Sequence, residues 1–395
     1  ESVLQEIASR SCSEGQALPR VKQAGDIKRV LHVATELVGF GGSTRMMSRW
    51  IDADPTRQNS IVLTSHHGPL PAHSVEAVER SGGTITLLGG MIGNQFDRAR
   101  KLRELARDYD LVVMHINCED EIPILAFAHQ AALSPVLFLN HADHLFWLGP
   151  GVSHAVLNLR EAAADICMKR RGIASERTLM LPTLVDPVRR QFDRTEVRKE
   201  LGVSDDQVLL VSVARSAKYK NFGGQTYADR HVELLKQNPN AVLMVVGCGL
   251  REDWKPACDA VDGRIIPFEP RNDVNRFLEA ADIYVDSYPF VSSTSQMEAA
   301  RYGLPIVSVC EAPEAARIVG INHLGLEGTS LVCPDWPTYN STLARLCADP
   351  EFRKSTGEAS RRNVAEHCEP VAWSGWLERA YQAALELPLL ADRPE

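Results

Sequence analysis

The sequence predicts an α/β fold with two doubly wound domains, each built on a parallel sheet. Short apolar segments typical of buried strands alternate with helix-like segments, first from Lys28 and again from Gln207. Strands with this composition belong to parallel sheets that helices cover on both faces. With 395 residues, the chain is also longer than one ordinary hydrophobic core. Two domains of roughly 180 residues each are therefore expected.

The composition is that of a globular protein, with 44% hydrophobic and 24% charged residues. A formal net charge of −8 argues against a general nucleic-acid-binding protein. The sequence contains no apolar segment long enough to cross a membrane and no secretory signal. Its nine cysteines form neither a CxxC pair nor a cysteine–histidine cluster. We therefore expect a cytoplasmic protein whose reduced thiols serve packing.

The expected first domain covers residues 28–185 and follows an N-terminal tail or helix at residues 1–27. Its predicted strands are RVLHVATEL, NSIVLTS, GTITLLGG, YDLVVMHIN and SPVLFLNH. Helix-like segments separate these strands, among them residues 44–51, 96–107 and 122–132.

A charged segment interrupted by proline is the expected linker, placed at residues 186–206. The second domain then covers residues 207–370, with the strands QVLLVSVAR, NAVLMVVGCG, GRIIPFEP, ADIYVDSYP, LPIVSVCE and TSLVCPD. Residues 371–395 contain a final helix that carries Trp373 and Trp376. Two tryptophans make this helix too apolar to lie free in water, so we expect it to pack back on the first domain.

Ligands of open parallel sheets bind outside the carboxyl ends of the strands, so the motifs that follow strands are the candidates. The first is VGFGGS, where Gly41 and Gly42 precede a helix that begins near Ser43 and Thr44. The free N–H groups of a helix start favour an anion. A plain glycine turn is the alternative, since the motif lacks the third glycine of the dinucleotide fingerprint and the P-loop lysine.

The second motif is NHADH, which comes directly after the apolar segment PVLFL. It contains His141, Asp143 and His144. Histidine titrates near neutrality, so at a strand end it can exchange a proton with an acceptor hydroxyl or orient a reacting group. These three residues are the candidate catalytic group, with His141 first because it lies closest to the strand end. Histidines bonded to loop carbonyls are the alternative, and a lone HxxH is poor evidence for zinc.

The third motif is VARSAKYKNF, after the first strand of the second domain. Arg215, Lys218 and Lys220 concentrate positive charge there, where they can neutralise a diphosphate. An exposed basic loop without a ligand is the alternative.

The fourth motif is SSTSQME, after the strand ADIYVDSYP. Ser292, Ser293, Thr294 and Ser295 supply hydroxyls and helix-terminal amides, which bind phosphate without a cation. Glu298 follows one turn later and is suited to a ribose diol. The alternative is a helix cap with a solvent-facing glutamate, although four hydroxyl residues exceed what one cap requires.

These motifs together resemble the nucleotide-sugar domain of GT-B glycosyltransferases, especially the bacterial retaining hexosyltransferases of glycosyl transferases group 1. VARSAKYKNF is similar to their arginine-to-lysine donor motif, which includes Arg215 and Lys220. LMVVGCGL resembles their strand and glycine turn, with Gly249, and QMEAARYGLPIVSV resembles their ribose-binding signature, with Glu298. The resemblance covers residues 208–387, and it implies two Rossmann-like domains that face a cleft. In the first domain, GFGGS and NHADH occupy the places of the glycine loop and the active-site histidine segment.

Phe290 departs from the family pattern. The family usually carries a first glutamate at this position, eight residues before the second, where it contacts the donor sugar. The loop YPFVSSTS is instead similar to the donor loop of protein N-acetylglucosaminyl- and N-glucosyltransferases. Retaining and inverting transfer therefore both stay open.

The resemblance implies transfer of a hexose or N-acetylhexosamine from a nucleotide sugar, typically a UDP sugar, to an acceptor hydroxyl or similar nucleophile. Arg215 and Lys220 would bind the diphosphate, supported by residues 293–295, without an obligatory metal or other cofactor. The acceptor can be a glycan, a lipid-linked glycan, a protein or a small molecule. A UDP-sugar epimerase or hydrolase of the same fold is the alternative enzyme. A catalytically silent subunit that binds nucleotide or a partner is the alternative from another class.

Overall fold

The computed structural model describes residues 1–11, 23–39, 42–128, 134–312 and 323–387, with only the backbone for residues 8–11. It divides into two compact units. The first unit comprises Glu1–Leu184 and Pro370–Glu395, and the second comprises Val185–Glu369. The chain thus leaves the first unit once, builds the second, and returns.

Each unit contains one sheet. The strands of the first unit are β1 (Arg29–Ala34), β2 (Gln58–Leu63), β3 (Ile85–Leu87), β4 (Leu111–His115), β5 (Val136–Asn140), β6 (Ala155–Asn158) and β7 (Thr178–Met180). The strands of the second unit are β8 (Val208–Val213), β9 (Ala241–Val246), β10 (Ile265–Phe268), β11 (Ile283–Val285), β12 (Ile306–Val309) and β13 (Leu331–Cys333).

Helices connect the strands. The first unit contains α1 (Ser2–Ser11), α2 (Gly42–Ala53), α3 (Ala72–Arg80), α4 (Gln95–Ala106), α5 (Ile122–Phe127), α6 (Glu161–Arg171) and, from the end of the chain, α14 (Pro370–Glu386). The second unit contains α7 (Arg194–Glu200), α8 (Asp229–Gln237), α9 (Lys255–Asp259), α10 (Val274–Ala280), α11 (Ser293–Arg301), α12 (Trp336–Ala348) and α13 (Pro350–Cys368). Short 3₁₀ helices lie at Ala24–Asp26, Pro150–Val152, Ser175–Arg177, Ser216–Lys218 and Glu252–Trp254.

The strand pairs in both sheets are parallel, which confirms the predicted fold class. The first sheet has the order β3-β2-β1-β4-β5-β6-β7, and the second has the order β10-β9-β8-β11-β12-β13. The strand order reverses between β1 and β4 in the first sheet and between β8 and β11 in the second. Ligands of doubly wound sheets bind at such switch points, outside the carboxyl ends of the strands.

The central strands are buried along their whole length. Each of the five residues of β4 and each of the six residues of β9 is buried. Runs such as LVVMH and AVLMVV therefore show no alternation of apolar and polar residues, because helices cover both faces of a parallel sheet. The same continuous apolar runs made these strands predictable.

Helix α14 belongs to the first unit, and one of the two tryptophans of the final segment, Trp373, is buried there. Trp373 is fully buried, its Nε1 donates to the Pro182 carbonyl at 2.8 Å, and its ring meets Trp50 edge-on at 5.4 Å. Trp50 Nε1 in turn donates to the Tyr381 hydroxyl at 3.0 Å. Buried aromatic rings of this size dominate the packing of a core, so α14 is part of the first unit's core.

Two features differ from what the sequence suggested. Strands β6 and β7 are additional to the five strands predicted for the first domain. The segment expected to be a linker contains α7, whose first turn is capped by Asp193 through a 3.0 Å bond from the Glu196 amide. Arg198 of this helix is buried and donates to the Ala280 carbonyl at 2.9 Å, which docks α7 on the second unit.

Eight cysteines lie among the described residues, and none of these eight forms a disulfide. Within the same residues, no helix combines the length and apolar character that crossing a membrane requires.

Candidate active site

The switch point of the second sheet brings two loops together. Strands β8 and β11 are neighbours, with Leu210 paired to Ile283 and Val211 paired to Tyr284. The segment after β8, residues 215–221, is named the basic loop, and the segment after β11, residues 287–295, is named the hydroxyl loop. Because both strands end at the same edge of the sheet, the two candidate motifs of this domain lie side by side.

The basic loop presents two of its three cations to solvent. Arg215 and Lys220 are exposed, whereas Lys218 is half-buried and points inward. The Lys218 ammonium donates to the Val291 carbonyl of the hydroxyl loop at 2.5 Å. Tyr219 anchors the basic loop to strand β8 through a 2.9 Å hydrogen bond between its hydroxyl and that of Ser212. Arg215 and Lys220 are thus available to an anion, while Lys218 joins the two loops.

The hydroxyl loop leads into α11, which begins at Ser293 with Ser292 as its N-cap. The Ser292 hydroxyl lies 3.0 Å from that of Ser295, and within the described residues it makes no capping bond to the helix. The amides of the first turn are therefore left to water or a ligand, as an anion site at a helix start requires. Ser293, Thr294 and Ser295 are each half-buried.

Glu298 is half-buried one turn beyond the hydroxyl loop, on α11. Gly249 follows the adjacent strand β9 with a φ of 75°, and its amide donates to the Phe268 carbonyl at 3.1 Å. At Gly247 a Cβ would approach the Ala214 carbonyl oxygen to 2.7 Å, so only glycine allows this turn to lie against the end of β8. The predicted glycine turn thus borders the basic loop.

Asp286 is a buried acid that the sequence reading did not assign to the site. It follows β11 directly, with 4% of its surface exposed. Its carboxylate accepts hydrogen bonds from the Ser292 amide at 3.0 Å and from Gln296 Nε2 at 2.6 Å. Burial raises the pKa of Asp286 to about 6, although these donors and the nearby Lys218 ammonium favour the charged form. The feature of the sequence that could have pointed to Asp286 is its position directly after the apolar strand β11.

In the first unit, the glycine loop follows β1. Gly42 begins α2, and Gly41 lies outside the described residues. The Val38 amide donates to the hydroxyl of Thr44 at 2.9 Å, so the first turn of α2 is tied to the first residue of the loop. This bond positions the helix start next to the carboxyl end of β1.

His141 lies after β5 at the end of a row of three imidazoles. Its ring centroid is 5.6 Å from that of His115, which is 5.1 Å from that of His32. His32 Nδ1 lies 2.9 Å from His115 Nε2, and His32 Nε2 lies 3.1 Å from the Asn59 amide oxygen. Burial lowers the pKa of His32 and of His141 to about 4, and it also lowers the pKa of His115 well below its ordinary value. His141 therefore does not titrate near neutrality as its residue type suggested, because burial keeps it neutral at pH 7, where it is a weak base.

Asp143 and His144 lie in a different environment from His141. Asp143 is buried, forms an ion pair with the buried Arg160, and has His144 Nδ1 3.6 Å from its carboxylate. Burial opposes ionisation of Asp143, but His144 and Arg160 outweigh it, so its pKa is lowered. A charged carboxylate held in this way fixes the loop after β5. Asp143 thus has His144 and Arg160 as partners, whereas the ring contact of His141 is with His115.

Asp120 is a further buried acid at the edge of the first sheet that sequence reasoning missed. Its carboxylate accepts hydrogen bonds from the hydroxyls of Thr35 at 2.7 Å and Thr64 at 2.5 Å. It also accepts a bond from the Ile122 amide at 3.1 Å. Burial raises the pKa of Asp120. The two threonines follow β1 and β2, so the acid ties together the loops on one side of the switch point.

Comparison with known proteins finds a family match within the second unit. Residues 193–363 match the model of a family described as glycosyl transferases group 1. This match confirms the resemblance inferred from the donor motifs. No curated protein matches the chain in sequence.

Solved structures share the fold of the whole chain. A glycosyltransferase from Rickettsia africae is 11% identical with a TM-score of 0.68, over 91% of this chain and 99% of that one. HepE from Anabaena, solved with UDP, is 14% identical with a TM-score of 0.65, over 89% and 98% of the two chains. A UDP-GlcNAc 2-epimerase from Neisseria meningitidis, bound to UDP-GlcNAc, is 14% identical with a TM-score of 0.53, over 86% and 97%. At such identities the likeness concerns the fold alone.

Proposed function

The chain carries a glycosyl transferases group 1 domain, and on that premise we propose that it moves a hexose or an N-acetylhexosamine from a UDP sugar to an acceptor nucleophile. One observation carries the proposal. At the switch point of the second sheet, two exposed cations and an uncapped helix start lie on adjacent loops that the Lys218–Val291 bond joins. Cations beside free helix amides form a site for a diphosphate.

In this proposal, Arg215 and Lys220 bind the diphosphate of the donor. The amides and hydroxyls of residues 293–295 support the phosphate that leaves with the nucleotide, and Glu298 holds the ribose diol. The leaving group of a UDP sugar departs as UDP, so its developing negative charge must be stabilised in the transition state. Fixed cations and helix amides supply that stabilisation without a proton transfer to the leaving group.

His141 is the proposed proton-transfer group of the first unit. Its imidazole is neutral at pH 7 because burial lowers its pKa to about 4. A neutral imidazole can accept the proton that the acceptor hydroxyl loses, or bond to a sugar hydroxyl. The role proposed for His141 therefore requires the uncharged form that the structure favours.

We propose that the reaction needs no obligatory metal, because protein cations neutralise the diphosphate. Saturating EDTA, followed by MgCl₂ in a second assay, tests this point. Turnover that is unchanged by EDTA supports it, and turnover that returns only with the metal contradicts it. HepE with UDP and the epimerase with UDP-GlcNAc make UDP-glucose and UDP-GlcNAc the first donors to test.

Measuring free UDP tests the function. The chain is incubated with UDP-glucose or UDP-GlcNAc, with and without a panel of glycan, lipid-linked glycan, peptide and small-molecule acceptors. UDP release that depends on an acceptor supports transfer. Release without an acceptor indicates a hydrolase, a changed sugar in unbroken UDP-sugar indicates an epimerase, and UDP binding without any turnover indicates a silent subunit. NMR of the product's anomeric proton then assigns retention or inversion.

A further inference from the structure

Asp286 has no role in the reaction proposed above, although it directly precedes the hydroxyl loop and bonds to it. It is the residue that follows β11, and its carboxylate bonds to the Ser292 amide and to the side chain of Gln296. Ser292 is the N-cap of α11, and Gln296 lies in the first turn of that helix. The carboxylate therefore joins the end of the strand to the start of the helix across the hydroxyl loop.

Lys218 reaches the same point from the other side. Its ammonium donates to the Val291 carbonyl, and Val291 immediately precedes Ser292. The backbone between strand β11 and helix α11 is thus held at two successive residues. Lys218 of the basic loop binds Val291, and Asp286, which follows β11, binds Ser292. The opposite charges of Asp286 and Lys218 attract each other across this junction.

We propose that Asp286 is a positioning residue of the donor site, and that its carboxylate, with Lys218, fixes the hydroxyl loop and the first turn of α11 relative to the basic loop. This inference rests on the function proposed above. A hydrogen-bond donor stabilises a developing charge only when it already points at the place where that charge forms. A mutation far from the reacting atoms that misplaces the reacting groups by 1 Å can cost about a hundredfold in rate. A buried carboxylate that sets the direction of helix amides therefore controls donor affinity without touching the donor.

The tyrosines that surround Asp286 do not change their charge over the pH range in which Asp286 titrates, so the effect of the Asp286 charge on UDP binding can be measured by changing the pH. Lys218 faces it from the basic loop, and burial lowers the pKa of that lysine despite the attraction of Asp286. The hydroxyl of Tyr227 donates to the Asp286 backbone carbonyl at 2.9 Å. Burial raises the pKa of Tyr227, as it does for Tyr284 and Tyr339, which also interact with Asp286. The three tyrosines are therefore neutral between pH 5 and pH 8, where Asp286 titrates.

The experiment compares Asp286→Ala and Asp286→Asn with the wild type in two measurements. Calorimetry gives the Kd of UDP, and hydrogen exchange without ligand gives the protection of the two hydrogen-bonded amides of this segment, those of Ser292 and Gln296. Asp286→Ala leaves the Ser292 amide without its acceptor, so we expect a Kd at least tenfold higher and faster exchange at these amides. Tyr227→Phe is the matched control, because it removes a bond to the backbone of Asp286 but leaves the carboxylate, and its Kd should stay within twofold of the wild type.

The pH dependence separates positioning from a merely structural role. Asp286→Asn keeps one acceptor but no charge, so we expect UDP to bind about threefold more weakly than to the wild type at pH 7.5 and equally at pH 5.5. The terminal phosphate of UDP itself titrates near pH 6, but it affects both proteins alike. The inference is overturned if the two proteins differ by the same factor at both pH values, or if Asp286→Ala leaves exchange at the Ser292 and Gln296 amides unchanged.

Failure of this inference and failure of the proposed function are distinguishable. If the wild type binds neither UDP nor a UDP sugar, the proposed donor site is wrong, and the ligand-free exchange data still decide whether Asp286 fixes the loop. If the wild type binds UDP and the Asp286→Ala variant binds it within twofold, the positioning role alone is wrong. If the alanine variant does not fold, the asparagine variant decides by the same two measurements.

Discussion

The two units share one architecture but place different chemistry at its switch point. In the second unit, the exposed Arg215 and Lys220 lie beside an uncapped helix start. In the first unit, the corresponding strands β1 and β4 carry the buried imidazoles of His32, inside β1, and His115, at the end of β4, and the His141 ring lies next to His115. The first arrangement suits an anion, and the second suits a neutral group that exchanges protons or hydrogen bonds.

This difference shows that the fold decides where a site lies, while the ionisation of a few side chains decides what it can do. Parallel strands that end at one edge collect the loops in both units. The cations Arg215 and Lys220 of the second unit are exposed, whereas burial lowers the pKa of the histidines of the first unit and keeps them neutral. The predictions below test that division, from the largest expected effect to the smallest.

Replacing His141 tests whether the first unit contributes chemistry rather than donor binding. We expect His141→Ala to lower kcat by about a hundredfold, the lower range for loss of a positioned proton-transfer group. The Kd of UDP should stay within twofold, because the proposed diphosphate ligands belong to the second unit. Steady-state kinetics and calorimetry measure the two quantities. A matching loss in UDP affinity would place His141 in nucleotide binding instead.

Acidification should destabilise the first unit more than the second. His32 has a pKa of about 4 in the folded chain, below its ordinary value of 6.5, so its contribution is present above pH 6.5 and is lost as pH falls towards 4. For His32 alone this loss is about 2 kcal/mol between pH 7 and pH 5. His115 and His141 change in the same direction.

Buried acids with a raised pKa offset part of this loss in both units, Asp120 in the first and Asp286 in the second, so the comparison depends on the histidines. His231 is buried with a pKa of about 4 and loses stability in acid as His32 does. The pKa of Asp286, raised to about 6, has the opposite effect, because its contribution is present at low pH and is lost as pH rises through 6. Hydrogen exchange at pH 5 and pH 7, corrected for intrinsic rates, should show a larger loss of protection in β1 and β4 than in β8 and β9. Equal losses would contradict the comparison.

Removing one exposed cation tests the anion site of the second unit. Lys220→Ala should reduce kcat/KM for the donor tenfold or more, because a charge-assisted bond to phosphate is lost. Lys236→Ala is the control, since Lys236 is an exposed lysine in the last turn of α8, away from the carboxyl edge of the sheet. Equal turnover for wild type and Lys220→Ala would remove Lys220 from the site.

Glu298 should matter through the ribose alone. Glu298→Ala should reduce transfer about tenfold, which corresponds to about 1.4 kcal/mol. Binding of UDP and of 2′,3′-dideoxy-UDP to both proteins completes a thermodynamic cycle. The wild type should prefer UDP about tenfold, and the variant should bind both nucleotides alike. A variant that keeps the full preference for UDP would show that Glu298 does not hold the diol.

The sequence predicted the parts of the fold that depend on continuous apolar strands. β4 and β9 are buried on both faces, so their composition alone marks them. β7 could not be found in this way, because it has three residues, none of them fully buried. β6 has only the four residues AVLN, and so short a segment does not by its composition distinguish a strand from a loop.

For the site, the sequence predicted motifs but not the bonds between them. Cations after β8 and hydroxyls after β11 were visible as local clusters. The bond from Lys218 to Val291 spans 73 positions and depends on the pairing of β8 with β11, so no local pattern contains it. The same holds for Asp143, because its ion-pair partner Arg160 follows the next strand, β6, in the sequence.

The return of the chain to the first unit has a consequence for synthesis on the ribosome. Trp373 and Tyr381 complete the core around Trp50, yet the whole of residues 185–369 is translated before them. The second unit can fold as soon as it emerges, whereas the first unit waits with its aromatic core unfinished until α14 is made. A nascent chain stalled before residue 370 should therefore hold a folded insert between the two parts of an incomplete host.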